Sequence, residues 1–321
     1  MDWRLLIASA AAMPALWLSP LHHAHAAADG GKPLHLIVPY APGSPMDTLA
    51  RLLAKGMYDQ ESQIVVVDNR PDVDGLVGTE MAKDSLPDGH TAVIVSTEFA
   101  MYAALGRRLP YNPIRDFTPV TQLADRQLLL VIHPSVPAKN VKQLVMLAKR
   151  EPGKLRYASR SAMDALPLEL FKMTTGAKIV RTSEGQPTLS ELVDNQIQVD
   201  MADASVALPS VRESRLRALA VGDSRRWSTL PELPTMAEAG VRGYRAVLWS
   251  GILAPARTPY ALVKRMNASM VKVVHSPLFR EALAQSGAEA VGNTPYVWRN
   301  FLHSELAKWH RVAHAAKLKF D

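Results

Sequence analysis

Apolar residues in this chain fall into short runs separated by stretches of helical spacing. Residues 34–38 form a short apolar run rich in strand formers. Behind it Leu49, Leu52, Leu53 and Met57 recur at the spacing of one helix face. Residues 64–67 read as the next strand, followed by a loop with Gly75 and Gly78 and a short helix near 79–83. Residues 87–90 are a turn, and residues 91–95 are a strand that exits at Ser96 and Thr97. A strong strand at 128–132 is stopped by His133 and Pro134. The pattern then repeats: helix 140–149, strand 155–159, helix 165–173, a short strand at 179–180, a loop at 181–186, helix 189–193 and a strand at 199–202 that ends at Asp203. Helix 210–214 and strand 216–221 close this middle block, which looks like a second lobe. Residues 247–253 are a candidate return crossing into the first lobe. Helices follow at 259–275, 277–286 and 295–316, the last with Leu302, Leu306, Trp309, Ala313 and Ala316 on one docked stripe. Strands alternating with helices predict an α/β protein with a mostly parallel sheet covered by helices.

The first strand-to-helix junction carries strong start chemistry. Ser44 suits the N-cap, Pro45 the first helical position, and Asp47 the third, a capping box with Asp in place of Glu. A helix opening at the end of a strand points free N–H groups and a positive dipole end outward, and such ends bind carboxylates and phosphates. Ser44, Ser96 and Thr97 lie where open α/β sheets bind ligands, at the carboxyl ends of strands. The glycine pattern fits neither a dinucleotide fingerprint nor a Walker loop.

Composition narrows the class. After Arg4, residues 5–18 are apolar apart from Ser9 and Pro14, and Ala24-His25-Ala26 with Ala27 and Ala28 follows. That reads as a signal peptide, residues 1–26, cut after Ala26 or Ala28. The run is short of the roughly 20 residues of a spanning helix. The chain is thus expected in the periplasm, with about 290 residues for two lobes or one large α/β unit. There are no cysteines, which excludes thiol catalysis, zinc–thiolate sites and Fe–S clusters. The net charge of +7 is scattered, with no basic block interleaved with aromatics, so nucleic acid is not an expected partner.

Several motifs, in order and spacing, resemble one family. They are Leu36-Ile37-Val38-Pro39-Tyr40-Ala41-Pro42-Gly43 with Asp47, Val67-Asp68-Asn69-Arg70-Pro71 with Gly75 and Gly78, and Pro87-Asp88-Gly89. Leu109-Pro110-Tyr111-Asn112-Pro113 with Asp116 and Phe117, the run 133–137, the run 216–221, Leu233-Pro234-Thr235 with Ala239 and Gly240, and the run 253–256 continue the series. The chain resembles the Bug-type receptors, the extracytoplasmic solute-binding proteins of tripartite tricarboxylate transporters. The resemblance implies a two-lobed, Venus-flytrap α/β fold of the type II periplasmic-binding-protein kind. It implies a small organic carboxylate held between the lobes and membrane permease subunits as partners; a monomer with no cofactor and no enzyme activity is the accompanying expectation. The first lobe is expected at 29–130 plus 247–321 and the second at 131–246, with a hinge near 128–131 and 247–251. The chain departs from the family at Ser44, where a second glycine is usual, at Asp72 and Asp74, at the loop 160–164, and at Thr182-Ser183-Glu184-Gly185. The first lobe therefore matches well and the second lobe's side of the pocket is rewritten.

The expected ligand-binding residues are Tyr40, Ala41, Gly43, Ser44, Asp47, Ser96 and Thr97 from the first lobe. From the second they are Ser159, Arg160, Ser161, Ser183, Glu184 and Asp203. The first-lobe side is expected to hold a carboxylate. Opposite it, Arg160 or Arg181 suits a second carboxylate, while Glu184 suits an ammonium, so a ligand that also carries an amine stays open. A pairing of Arg160 with Asp164 in water is the bland alternative. Asp72 and Asp74 do not fill a calcium loop, because that frame puts Arg70 and Met81 at ligand positions. His303, His310 and His314 share a helix face but read as a solvated side, so no metal site is expected. Gly222-Asp223-Ser224 lacks the surroundings of a nucleophile elbow. A sensing receptor for a membrane signalling protein and a secreted enzyme on the same fold are the rival readings.

Overall fold

The computed structural model describes residues 32–72, 74–183 and 188–320; the expected signal segment and Glu184 lie outside them. In chain order the elements are β1 (Leu34–Val38), α1 (Pro45–Glu61), β2 (Val65–Asn69), α2 (Leu76–Lys83), β3 (Thr91–Ser96), α3 (Thr97–Ala104) and β4 (Phe117–Ile132). There follow α4 (Val141–Arg150), β5 (Arg156–Ser159), α5 (Ala162–Thr175), β6 (Val180–Ser183), α6 (Thr188–Val193), β7 (Val199–Asp203), α7 (Ala204–Arg212) and β8 (Arg217–Val221). The chain ends with β9 (Val247–Pro255), α8 (Tyr260–Val274), α9 (Pro277–Gln285), β10 (Ala288–Ala290) and α10 (Pro295–Ala316). No helix among the described residues is long and apolar enough to cross a membrane.

The main sheet runs β10-β4-β9-β3-β1-β2. Only β1 with its two neighbours, and the separate β5–β6 pair, are parallel. Every pairing of β4 is antiparallel, and so is that of β9 with β3. The expected mostly parallel sheet is therefore corrected to a mixed one, because two long strands run against the βαβ units. The 16-residue β4 changes partners along its length. From Phe117 to Gln127 it lies against β9, in register Phe117↔Pro255 to Gln127↔Val247. From Leu128 to Ile132 it lies against β7 and β8, beginning at Leu128↔Asp203.

Strand faces alternate, and both are buried. Leu36, Val38, Ala92 and Ile94 join Leu49, Leu53 and Met57 of α1 and Val263 and Met270 of α8 in one core. Ile37, Val93 and Val95 face the other way, into a core shared with Leu128, Leu130, Ile132, Trp249 and Trp298. Leu129 and Val131 point away from that core, towards Ala202, Leu192 and Trp227. Burial on both faces explains why these strands read as continuous apolar runs rather than as alternation.

The first eleven residues of β4 escaped the sequence reading because their polar side chains are buried. Thr121, Gln122, Asp125 and Gln127 are each at most 2% exposed. The Asn293 amide donates to Gln122 Oε1 at 3.0 Å, and the Gln122 amide donates to Asp125. Arg245 joins Asp125 at 3.0 Å and Asp223 at 2.7 Å, and Gln127 donates to Asp223 at 3.4 Å. Burial raises Asp125, to about 7, against the pull of Arg245. Asp223 is held below its ordinary range because Arg245 and the Ser224 N–H outweigh the effect of burial on it. Gly222 threads the same crossing: a Cβ there would meet the Ala246 carbonyl oxygen at 2.3 Å. The helix α3 and the short strand β10 were not expected, and two elements have other bounds than expected. Residues 181–183 are strand rather than loop, and the helix expected at 210–214 begins at Ala204, capped by Asp203.

Candidate functional site

Ser44 caps α1 as its sequence suggests: its hydroxyl accepts from the Asp47 N–H at 3.2 Å. The other half of the expected capping box is displaced by one residue. Asp47 accepts from the N–H of Gly43 at 2.8 Å, while the Ser44 N–H goes to the Ala41 carbonyl at 3.1 Å. Asp47 also receives Arg51 at 3.0 Å and Asn69 at 2.9 Å, and Asn69 in turn donates to the Tyr40 carbonyl at 3.1 Å. Arg51 foremost, with the Gly43 N–H and Asn69, lowers the Asp47 pKa to about 2. This buried carboxylate ties β1, β2 and α1 together and occupies the donors that the sequence offers to a ligand. Pro45, at the first helical position, has no N–H to offer. Gly43 has φ +79°, so a side chain there would strain the turn.

The junction after β3 uses the same chemistry to a different end. Ser96 caps α3, accepting from the Glu98 N–H at 3.2 Å. Tyr40 donates its hydroxyl to Ser96 at 2.9 Å, and Ser96 donates to the Glu98 carboxylate at 3.4 Å. Glu98 stands among the cleft walls yet is reached by solvent. The surrounding protein raises its pKa; the Ser96 hydrogen bond works against that, and the nearby Asp164 carboxylate adds to it. Burial pushes the Tyr40 hydroxyl far above its ordinary range, which keeps it a donor. Thr97 serves the backbone: its buried hydroxyl accepts from the Trp249 N–H at 2.7 Å, pinning β9 to α3.

On the opposite side, buried Ser159 accepts from Arg181 at 2.7 Å, and Ser161 caps α5 through the Asp164 N–H at 3.2 Å. Arg160 and Asp164 stand 3.6 Å apart, both exposed, the pairing that sequence offered as the bland alternative. Asp203 caps α7 through the Ser205 N–H at 2.9 Å and forms an ion pair with Arg126 at 2.9 Å. Ser183 ends β6, in register with Ser159.

Two cavities meet between these walls. The larger, about 810 Å³, is lined by Tyr40, Gly43, Ser44, Ser96, Thr97 and Glu98 on one side and by Asp164 and Ser205 on the other, with Arg126 and Trp249 at its back. The smaller, about 430 Å³, shares Thr97, Glu98, Asp164 and Leu248 with it and adds Arg160, Asp200 and Asp203. Of the expected residues, Ala41, Asp47, Ser159 and Ser161 line neither. Sequence reasoning missed Glu98 and Arg126 as wall residues. Glu98 follows Ser96-Thr97 in the first turn of a helix that was not anticipated. Arg126 interrupts the approach to the apolar run at 128–132, and that charge was the available signal. His303, His310 and His314 are exposed on α10.

The profile of a family described as "Tripartite tricarboxylate transporter family receptor" matches residues 49–318. The Bordetella pertussis protein BugT is 32% identical over 296 residues, 90% of this chain and 91% of that protein. Among solved structures, an R. palustris protein with adipate is 30% identical, with a TM-score of 0.68 over 89% of this chain and 98% of that one. MatC from Rhodopseudomonas palustris with bound malate is 26% identical, with a TM-score of 0.65 over 87% of this chain and 98% of that one.

Proposed function

This chain belongs to the receptors of the tripartite tricarboxylate transporter family, and from that premise we propose that it captures a small organic carboxylate between two lobes. It acts outside the cytoplasm, as a monomer, and delivers the ligand to membrane permease subunits. The lobes are residues 29–130 with 247–321, and residues 131–246, hinged where β4 exchanges β9 for β7 and β8, at Gln127 and Leu128. Ligand favours the closed arrangement because it touches both lobes. The adipate and malate of two structural relatives support a carboxylate as the class.

One observation carries the reading. Among the described residues, Arg126 is the one basic side chain lining the larger cavity, 30% exposed and steadied by Asp203. A guanidinium held from behind by one carboxylate, with its remaining N–H groups available, suits a carboxylate ligand. Calorimetric titration of the purified protein with small organic acids tests this. Arg126→Gln is expected to weaken the best ligand by about 100-fold, and Arg126→Lys to recover only part of it. Equal binding by Arg126→Gln and the parent rules out this anchor.

A further inference from the structure

We propose that the ligand of this cleft carries a cationic amine opposite a single carboxylate, and that Glu98 from one wall and Asp164 from the other receive the ammonium. The inference rests on the solute-capture reading above and names the ligand class for that same site.

The argument begins with charge. The whole chain has a net charge of +7, yet the walls of the two joined cavities reverse that sign. Leaving aside Asp200, which has an interaction of its own, they hold three carboxylates, Glu98, Asp164 and Asp203, against two guanidiniums, Arg126 and Arg160. Asp203 is taken by Arg126, and Arg160 stands beside Asp164. Glu98 has no arginine or lysine paired with it among the described residues; the donor on it is the Ser96 hydroxyl, itself backed by Tyr40. A donor hydroxyl favours the ionised carboxylate, so Ser96 offsets part of the upward push that the enclosing protein and Asp164 give Glu98, and a cationic group in the cleft would offset the rest.

Position adds a second argument. Glu98 belongs to α3 and Asp164 to α5, and both line both cavities. Two carboxylates facing one space repel each other, and desolvating them without a counter-charge is costly. A dicarboxylate with one end on Arg126 brings its second anion towards Glu98 and Asp164, where the other guanidinium, Arg160, is already shared with Asp164. An ammonium in that place turns the repulsion into two charge-assisted hydrogen bonds and joins the two walls. Specificity then comes from the repulsive element as much as the attractive one.

Matched ligands isolate the charge from size. The probes are γ-aminobutyrate, succinate and butyrate at one length, and ε-aminocaproate, adipate and caproate at another. Each is titrated calorimetrically into the purified protein, Glu98→Gln and Asp164→Asn, with thermal midpoints as the check on folding. At the better-binding length the aminocarboxylate is expected to bind about tenfold or more tightly than its dicarboxylate. Glu98→Gln is expected to bring the two near parity, and Asp164→Asn to move them the same way by less. A dicarboxylate that outbinds its matched aminocarboxylate, or a preference unchanged in both variants, overturns the amine subsite while leaving carboxylate capture intact. Failure of all six probes to bind the folded parent overturns carboxylate capture, and the subsite with it.

Discussion

Two helix starts in this molecule are built from the same parts and do opposite things. At Ser44, in the turn after β1, and at Ser96, the last residue of β3, a serine caps a helix and an acid follows in the first turn. Asp47, three residues after its cap, folds back onto Gly43, Arg51 and Asn69 and is buried. Glu98, two residues after its cap, lines the cleft with the Ser96 hydroxyl as its side-chain donor among the described residues. One residue of offset decides whether the carboxylate closes the turn or faces the ligand. The same contrast appears in their pKa values: Arg51 and its companions pull Asp47 down to about 2, whereas the enclosing protein pushes Glu98 up. An acid whose charge the fold satisfies belongs to stability; an acid whose charge the fold leaves exposed to a cavity belongs to binding.

Charge reversal should separate the two most strongly. Glu98→Lys is expected to weaken a bound aminocarboxylate by about 100-fold or more, because it sets like charges against each other in the cleft. Its unfolding midpoint should stay near that of the parent, since Glu98 is reached by solvent. Asp47→Ala should do the reverse. It removes the acceptor for Gly43, Arg51 and Asn69, at an expected cost of about 2 kcal/mol in urea unfolding with an unchanged slope. If Asp47→Ala abolished binding at full stability, the assignment of Asp47 to the scaffold would be wrong.

The caps themselves sharpen the contrast at a smaller scale. Ser44→Ala and Ser96→Ala should each cost about 1 kcal/mol of stability, the ordinary worth of a serine cap. Only Ser96→Ala should also change ligand preference, because it interrupts the relay from Tyr40 to Glu98. Equal shifts in preference from both variants would mean that the relay has no part in binding.

How much of this was legible in the sequence depended on whether charge or apolarity carried the signal. The cap, proline and acid at 44–47 predicted the start of α1, and the stripe from Leu302 to Ala313 predicted α10, because local chemistry fixes both. The first part of β4 was not legible. Its buried Gln122, Asp125 and Gln127 look like loop residues until Arg245, Asp223 and Asn293 arrive from over 90 positions along the chain. Thr97 and Ser159 were expected at the ligand for their position after strands, yet their hydroxyls meet Trp249 and Arg181. Sequence places a hydroxyl at the right end of a sheet; it does not say which long-range partner takes it.

The smallest expected effect is the pH dependence, and its sign differs between the two acids. Asp47 is depressed from 3.8 to about 2, so the unfolded chain binds its proton more readily. Its contribution to stability is fully present above 3.8 and is lost as the pH falls towards about 2. Glu98 is raised above 4.5, so the folded chain binds its proton more readily, and its own contribution to stability falls as the pH rises through its folded value. Binding runs the other way from that stability, because only the ionised Glu98 receives an ammonium. Affinity for an aminocarboxylate should therefore weaken as the pH drops from 7 towards 4.5, in a window where Asp47 has not begun to titrate. Titration calorimetry across that window, read beside thermal midpoints in the same buffers, checks it. Affinity should move where Asp47 leaves stability untouched, and in Glu98→Gln that movement should shrink. A full pH response surviving in Glu98→Gln would assign it to another group, the ligand's own carboxylate included, and remove Glu98 from the ammonium contact.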